Sequence, residues 1–422
     1  MNVLLLSTSD IEGGAARAAY RLHQGLHSIG INSKMLVQTK SSGDPTVLSA
    51  KTNLAVSIAS ARVTVDSLPL KRHAKARKAL FSLQWLPDRI RAEADQVSAD
   101  VLNLHWTQSG FMQIETLAHL QRPLIWSLHD MWAFTGGCHY NGECNRYQEQ
   151  CGACPQLHSQ RQQDLSRWVW QRKQRAWKSL DLTVVALSSW MADCARASSL
   201  FRDRRVEQIP NGIDSEQYRP IDSETARRLL QLPLDKRLIL FGACYPTSEK
   251  RKGFQLLQAA LQQLHQLDWK NQLELVVLGA SQPEQALELG VPVHYLGTMK
   301  DTLTQALVYS AADVFVLPSL QENLSNMILE SLACGTPCVA FKIGGMPDMI
   351  DHQSNGYLAQ PYEIEDLARG IVWVIETESR HQNLRQMARL KVIQEFNLHL
   401  QATRYAALYA EMVERSGHRS VS

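Results

Sequence analysis

No apolar run in this 422-residue chain is long enough to span a bilayer. The opening segment, MNVLLLSTSD, has no basic n-region, and its apolar run is too short for a secretory signal. A cytoplasmic location is therefore expected, where thiols stay reduced. Neither sign of charge dominates: 44 basic and 41 acidic side chains leave a net charge of +3. That balance argues against wholesale nucleic-acid binding. There are no internal repeats, no low-complexity tract and no flexible Gly/Ser linker.

What is present is an ordinary globular composition, 45% apolar and 20% charged, in a chain too long for one core. Short apolar runs at 2–7, 31–38, 100–105, 123–129 and 182–187 read as buried strands, most of them separated by helical patterns. The pattern restarts after IPNGIDSEQYRP (209–220), with strand candidates at 237–243, 273–278, 293–296, 313–317 and 337–341. Strands alternating with helices predict parallel sheets covered on both faces, hence an α/β fold with two Rossmann-like domains. The expected division is 1–205, 206–391 and a last helical pattern from 392 that packs back on one of the domains. In such sheets ligands sit beyond the carboxyl ends of the strands, and two domains facing across a cleft would both contribute loops.

One stretch at a predicted strand end carries paired acids. LPSLQENLSNMILESLACGTPCV (317–339) places Glu322 and Glu330 on either side of a helix start that Ser325 or Asn323 can cap. A helix N-terminus offers free N–H groups and partial positive charge, which suits phosphate. Eight residues of helix span about 12 Å, comparable to a sugar nucleotide from hexose to ribose. Carboxylates accept hydrogen bonds from vicinal hydroxyls, so one acid suits the sugar and the other the ribose. Upstream, EKRKGF puts Arg251 and Lys252 before Gly253, cations that neutralise a diphosphate.

Taken together these segments resemble family 4 retaining glycosyltransferases of the GT-B fold. The family pattern is Glu, seven residues, Glu, then Ala-x-Gly-x-Pro-Val-Val, which ENLSNMILESLACGTPCV resembles. NGID (211–214) resembles the start of the family's C-terminal domain, KRKGF its Lys-Gly diphosphate motif, and GGAARAAYRL (13–22) and WSLHD (126–130) its N-domain elements. The resemblance implies a donor site of Gly13, Gly14, Arg251, Lys252, Asn323, Leu324, Ser325, Asn326 and Glu330. It gives catalytic roles to His129, Lys252 and Glu322, with His129 beside the donor sugar. It implies front-face departure of the leaving group, with fixed cations and no catalytic metal; no Asp-x-Asp pair of the kind that carries Mg²⁺ in other glycosyltransferases is apparent. The chain departs from the family where many members have arginine after a strand-end glycine: it reads Gly242-Ala243, and Arg251 is the substitute. The implied reaction moves a hexose, with UDP-glucose as the default donor, to a glycan or lipid-linked saccharide. A sugar-nucleotide epimerase and a non-catalytic sugar-nucleotide-binding scaffold are the alternatives on this fold.

Two features lie outside that reading. Of eight cysteines, Cys138, Cys144, Cys151 and Cys154 crowd one loop as C-x5-C-x6-C-x2-C, with His139 alongside. Four thiolates so placed suit structural zinc, with disulfides or free thiols as the other outcomes. Between Arg62 and Arg91 stand eight basic and two acidic residues. There Lys71, Arg72, Lys75, Arg77 and Lys78 interleave with Leu70, Leu80, Phe81 and Trp85, an amphipathic pattern suited to peripheral contact with the inner face of a membrane.

Overall fold

A computed structural model describes residues 1–49, 61–72, 80–242, 249–266, 269, 271–283, 289–299 and 301–419. Ala243, Cys244, Lys75, Arg77 and Lys78 lie outside the described residues. The chain forms two compact units, Met1–Pro210 with Gln401–Ser422 and Asn211–Leu400.

Among the described residues unit 1 holds seven strands: β1 (Asn2–Ser9), β2 (Asn32–Thr39), β3 (Val47–Leu48), β4 (Val101–Leu104), β5 (Leu124–Leu128), β6 (Leu182–Ala186) and β7 (Arg205–Gln208). They pair in the order β3-β2-β1-β4-β5-β6-β7, all parallel. Unit 2 holds β8 (Arg237–Gly242), β9 (Leu273–Leu278), β10 (Val293–Tyr295), β11 (Val314–Leu317), β12 (Cys338–Phe341) and β13 (Gly356–Ala359). Their order is β10-β9-β8-β11-β12-β13, again parallel. Central strands are buried on both faces, which explains their continuous apolar runs. In each sheet the order reverses beside the first strand, between β1 and β4 and between β8 and β11. Those switch points are where a doubly wound sheet leaves a crevice for ligand.

The two faces of the unit 1 sheet are closed differently. One packs Leu4, Leu104, Leu124 and Trp126 against an aromatic cluster with Trp132, Trp177 and Phe201. On the other, Val3, Leu5, Ile125 and Val185 meet the helix Gly14–Ser28 and Tyr405, Leu408, Tyr409 and Met412 of the terminal helix Leu398–Arg419. Two polar residues, Asn103 and Ser127, sit on that apolar face and are satisfied there. Ser127 Oγ donates to Asn103 Oδ1 at 3.0 Å, Tyr405 OH bonds Ser127 Oγ at 2.8 Å, and Asn103 Nδ2 donates to Tyr409 OH at 2.6 Å. In unit 2, Ile239, Phe241, Val314, Val316, Val339 and Phe341 pack against helix residues including Phe254, Leu257, Leu261 and Ile371.

The helical pattern expected from 392 is two helices. Glu378–Glu395 ends before Phe396–Asn397, and Leu398–Arg419 begins after them. Asn397 Oδ1 accepts from His399 N at 2.8 Å, and Ile213 and Phe396–Leu398 exchange main-chain bonds, which divert the chain at that point. The Trp-rich stretch 166–180 forms the helix Leu165–Trp177, burying Trp170 and Trp177 and leaving Trp168 exposed. No helix among the described residues is long and apolar enough to cross a membrane.

Tyr409→Phe strands the Asn103 amide in the core. It is expected to cost about 1–3 kcal/mol of stability, read as a lower urea midpoint; an unchanged midpoint would show the bond to be dispensable.

Candidate functional site

At the unit 2 switch point the loop after β11 meets the turn that precedes helix Phe254–Gln266. Lys250–Lys252 form a single 3-10 turn closed by Gly253 at φ 70°. Gly253 lies against the carbonyl of Pro318, where an added Cβ would stand 1.8 Å from the oxygen. Main-chain bonds join the two loops further, Leu320 N to Arg251 O at 2.7 Å, while Arg251 Nη1 donates to Gln321 O at 2.9 Å. On the other side Gly344, at φ 50°, abuts Glu322, leaving 1.9 Å between a notional Cβ and the Glu322 carbonyl. Side chains are excluded at both glycines by the φ and by the approach.

This packing points three groups at one carboxylate. Lys252 Nζ donates to Glu322 Oε2 at 2.6 Å, Arg251 Nη1 at 3.3 Å and Ser319 Oγ at 3.3 Å. Glu322 is 6% exposed. Burial pushes its pKa up, but the Lys252 ammonium and the Arg251 guanidinium outweigh burial and lower it to about 2. Arg251 also pairs with Glu249 at 2.7 Å. Two cations, Arg251 and Lys252, thus meet two carboxylates, Glu249 and Glu322.

Ser325 caps the helix Asn326–Ala333, its Oγ accepting from Ile328 N at 3.4 Å. One turn in, Glu330 is buried and accepts from Tyr309 OH at 2.8 Å. Burial, with the Glu330 carboxylate beside it, raises the Tyr309 phenol well above its usual range, so it stays a donor. Asn211 of the NGID turn donates to Asn326 Oδ1 at 3.4 Å.

In unit 1, β1 runs into Asp10, which is buried and accepts from the N–H groups of Ile11, Ser41 and Ser42 at 2.9–3.0 Å. The loop ends in Gly13 at φ 91°, the N-cap of Gly14–Ser28. Nothing lies within 4 Å of a notional Cβ there, so the dihedral alone calls for glycine. At the ends of β4 and β5, His105 Nδ1 lies 2.9 Å from His129 Nε2. Asp130 gathers Trp106 Nε1 at 2.8 Å, Trp132 N at 2.9 Å and His139 Nδ1 at 2.6 Å. Burial raises the Asp130 pKa, and His139 with the hydrogen bonds brings it below the usual value.

A sequence model described as Glycosyltransferase Family 4 matches residues 12–217, and one described as Glycosyl transferases group 1 matches 235–377. The chain belongs to glycosyltransferase family 4. Among curated relatives, a D-inositol 3-phosphate glycosyltransferase of Thermobispora bispora is 30% identical over 229 residues, 51% of this chain and 53% of that one. A sulfoquinovosyl transferase of Arabidopsis thaliana is 28% identical over 198 residues, covering 45% and 36%. The chain spans about half the length of such relatives, or less. Among solved structures, sucrose-phosphate synthase from Thermosynechococcus elongatus superposes with a TM-score of 0.71 at 19% identity, covering 98% of this chain and 100% of that one. HepE of Anabaena in complex with UDP-glucose gives 0.64 at 18%, covering 97% and 100%. These likenesses show a GT-B-like fold.

In this family 4 chain the structure gathers Arg251, Lys252 and Glu322 at one point, with Asn323, Leu324, Ser325 and Asn326 following in the same loop and helix start and Glu330 one turn beyond. In unit 1, Gly13 and Gly14 stand at the helix start that follows β1, and His129 directly follows β5. Sequence reasoning missed His105, Ser319 and Tyr309. His105 ends an expected strand and Ser319 lies two residues beyond another, a signal that was available; Tyr309 lies inside a helix and carried none.

The zinc expectation is not supported. Among the described residues no group of three or more His, Cys, Asp or Glu is arranged to hold a metal ion. Cys138, Cys144, Cys151 and Cys154 line one small pocket without converging on a point, and all four are free of disulfides. Cys151 Sγ instead accepts from Gly136 N at 3.1 Å, burial pushes its thiol up to about 12, and His139 is turned to Asp130 and Ser82. The basic amphipathic reading also changes. Phe81 is buried and Trp85 partly so, both in the unit 1 core, with Trp85 Nε1 donating to Asp66 O at 3.1 Å, so neither forms a lipid-facing stripe.

The Glu322 carboxyl titrates near 4.5 when unpaired and at about 2 in the fold. Its contribution to stability is whole above pH 4.5, weakens below it and is gone below about 2. Glu322→Gln is expected to flatten that part of the acid-unfolding curve; an identical curve would place the pairing elsewhere. Gly344→Ala is expected to lower the melting temperature, measured by calorimetry, because the added Cβ would meet the Glu322 carbonyl; an unchanged value would show that the loop yields without cost.

Proposed function

We propose that this protein is a retaining hexosyltransferase that moves glucose from UDP-glucose to a glycan or lipid-linked saccharide, as in polysaccharide biosynthesis. The observation that carries the reading is the caged carboxylate: Lys252 and Arg251 held on Glu322 at the unit 2 switch point. The anomeric carbon–oxygen bond breaks, and its electron pair leaves with the nucleoside diphosphate. Lys252 and Arg251 neutralise the charge that develops on that leaving group, already oriented before it arrives. Glu322 anchors the two cations and accepts from sugar hydroxyls. Glu330, oriented by Tyr309, takes the ribose hydroxyls. The acceptor hydroxyl attacks from the face the diphosphate departs, and its proton passes to a diphosphate oxygen, so configuration is retained. Gly13, Gly14 and His129 serve the sugar and phosphates from unit 1. The UDP-glucose complex of HepE supports the choice of donor for a chain of the same fold.

Calorimetric titration of UDP, GDP, ADP and dTDP is expected to select UDP, with Glu330→Ala abolishing the signal; no binding by any of the four would overturn the reading. Lys252→Ala should lower kcat by about 10²–10³ with the fold intact, and near-wild-type turnover would remove Lys252 from the mechanism. Incubation with UDP-glucose and no acceptor is expected to release no epimerised sugar, the product an epimerase would give.

A further inference from the structure

The end of β4 carries a histidine that the proposed mechanism does not use. The main chain of His105 is pinned from both sides: its N–H donates to Leu6 O at 2.9 Å, and its carbonyl accepts from Trp126 Nε1 at 3.2 Å. The ring is 3% exposed. One nitrogen meets His129 Nε2 at 2.9 Å, with the two rings tilted by 35°. The other, Nε2, is buried with no hydrogen-bond partner among the described residues. The bond to His129 is thus the one hydrogen bond described for this imidazole. A leucine or phenylalanine would fill the same space without desolvating an unpaired nitrogen, so packing alone gives no reason for the ring.

We infer that His105 is a positioning residue that fixes the ring orientation and the tautomer of His129. The inference rests on the reading of His129 as a residue of the glycosyl-transfer site. Burial lowers the pKa of both rings, and the two would repel each other if both were charged. Two neutral imidazoles joined nitrogen to nitrogen share a single hydrogen, so one donates and the other accepts. Because His105 Nε2 has no partner among the described residues, the less costly tautomer leaves a bare lone pair there and puts the proton on Nδ1, which donates to His129 Nε2 and so places the His129 proton on Nδ1. Removing the bond removes that constraint on the His129 tautomer.

The test compares His105→Leu with His105→Asn, whose side-chain amide can occupy the place of Nδ1. In His105→Leu, kcat is expected to fall about 10–100-fold, the range seen when an outer hydrogen-bond partner is lost, with the KM for UDP-glucose changed less than about twofold. His105→Asn is expected to recover most of that loss. Equal loss in both variants, or wild-type turnover in both, overturns the inference. Melting temperatures identify any variant that has lost the fold. A second readout needs no turnover: ¹⁵N spectra of ring-labelled histidine report the tautomer of His129, assigned through its disappearance in His129→Asn. One tautomer is expected in wild type and His105→Asn, and averaged signals in His105→Leu. A single unaltered tautomer in His105→Leu overturns the link. If wild type transfers no sugar while the tautomer still follows residue 105, the link stands and the transferase reading is the one that falls.

Discussion

A carboxylate almost out of reach of water, yet ionised, is the constraint around which unit 2 is arranged. Glu322 keeps its charge because Lys252 and Arg251 reach it, and they reach it because two glycines let three loops close to van der Waals limits. Gly253 seats the cationic turn on Pro318, and Gly344 seats the next loop on Glu322 itself. Neither half is stable alone: the cations without the carboxylate would repel, and the carboxylate without the cations would take a proton. The arrangement is therefore built before any anion arrives, which is what electrostatic preorganisation requires.

Unit 1 handles its buried polar groups by sharing them. Asp130 accepts from an indole, a main-chain amide and an imidazole at once, and His139 passes the chain on to Ser82. Lys173, fully buried, rests 3.3 Å over the Trp132 ring and donates to the carbonyls of Trp132 and Thr135. Burial drives its pKa well below the ordinary lysine value. The turn that follows β5 is thus tied from beneath, which fixes the direction in which His129 and Asp130 leave the sheet. Networks of this kind specify one arrangement because every partial alternative leaves a desolvated group unpaired.

Most of the sheets could be read from sequence because their central strands are buried on both faces and so appear as unbroken apolar runs. The strands that escaped are of another kind. β7, Arg205–Gln208, is an edge strand with half-exposed polar residues, β3 is two residues long, and β13 opens on a glycine. None leaves a periodic trace. The acids and cations of the site were legible through their spacing and their places at strand ends. Their pairing was not, since Lys252 and Glu322 are seventy residues apart and meet only because β8 and β11 are neighbours. The cysteine loop misled for a related reason: spacing along the chain says which thiols are near, and nothing of whether they point to one centre.

The terminal helix Leu398–Arg419 has a bearing on how the protein is made. It supplies Tyr405, Leu408, Tyr409 and Met412 to a sheet face formed by the first half of the chain. A ribosome delivers that face, with Val3, Leu5, Ile125 and Val185, roughly two hundred residues before it delivers the cover. Unit 2 is contiguous and can fold as it emerges, whereas the nascent unit 1 must wait with one apolar face and the Asn103–Ser127 pair open to water. These late residues decide when the early ones become native, so a ribosome that stalls before them leaves a half-covered sheet, a ready substrate for chaperones and for aggregation.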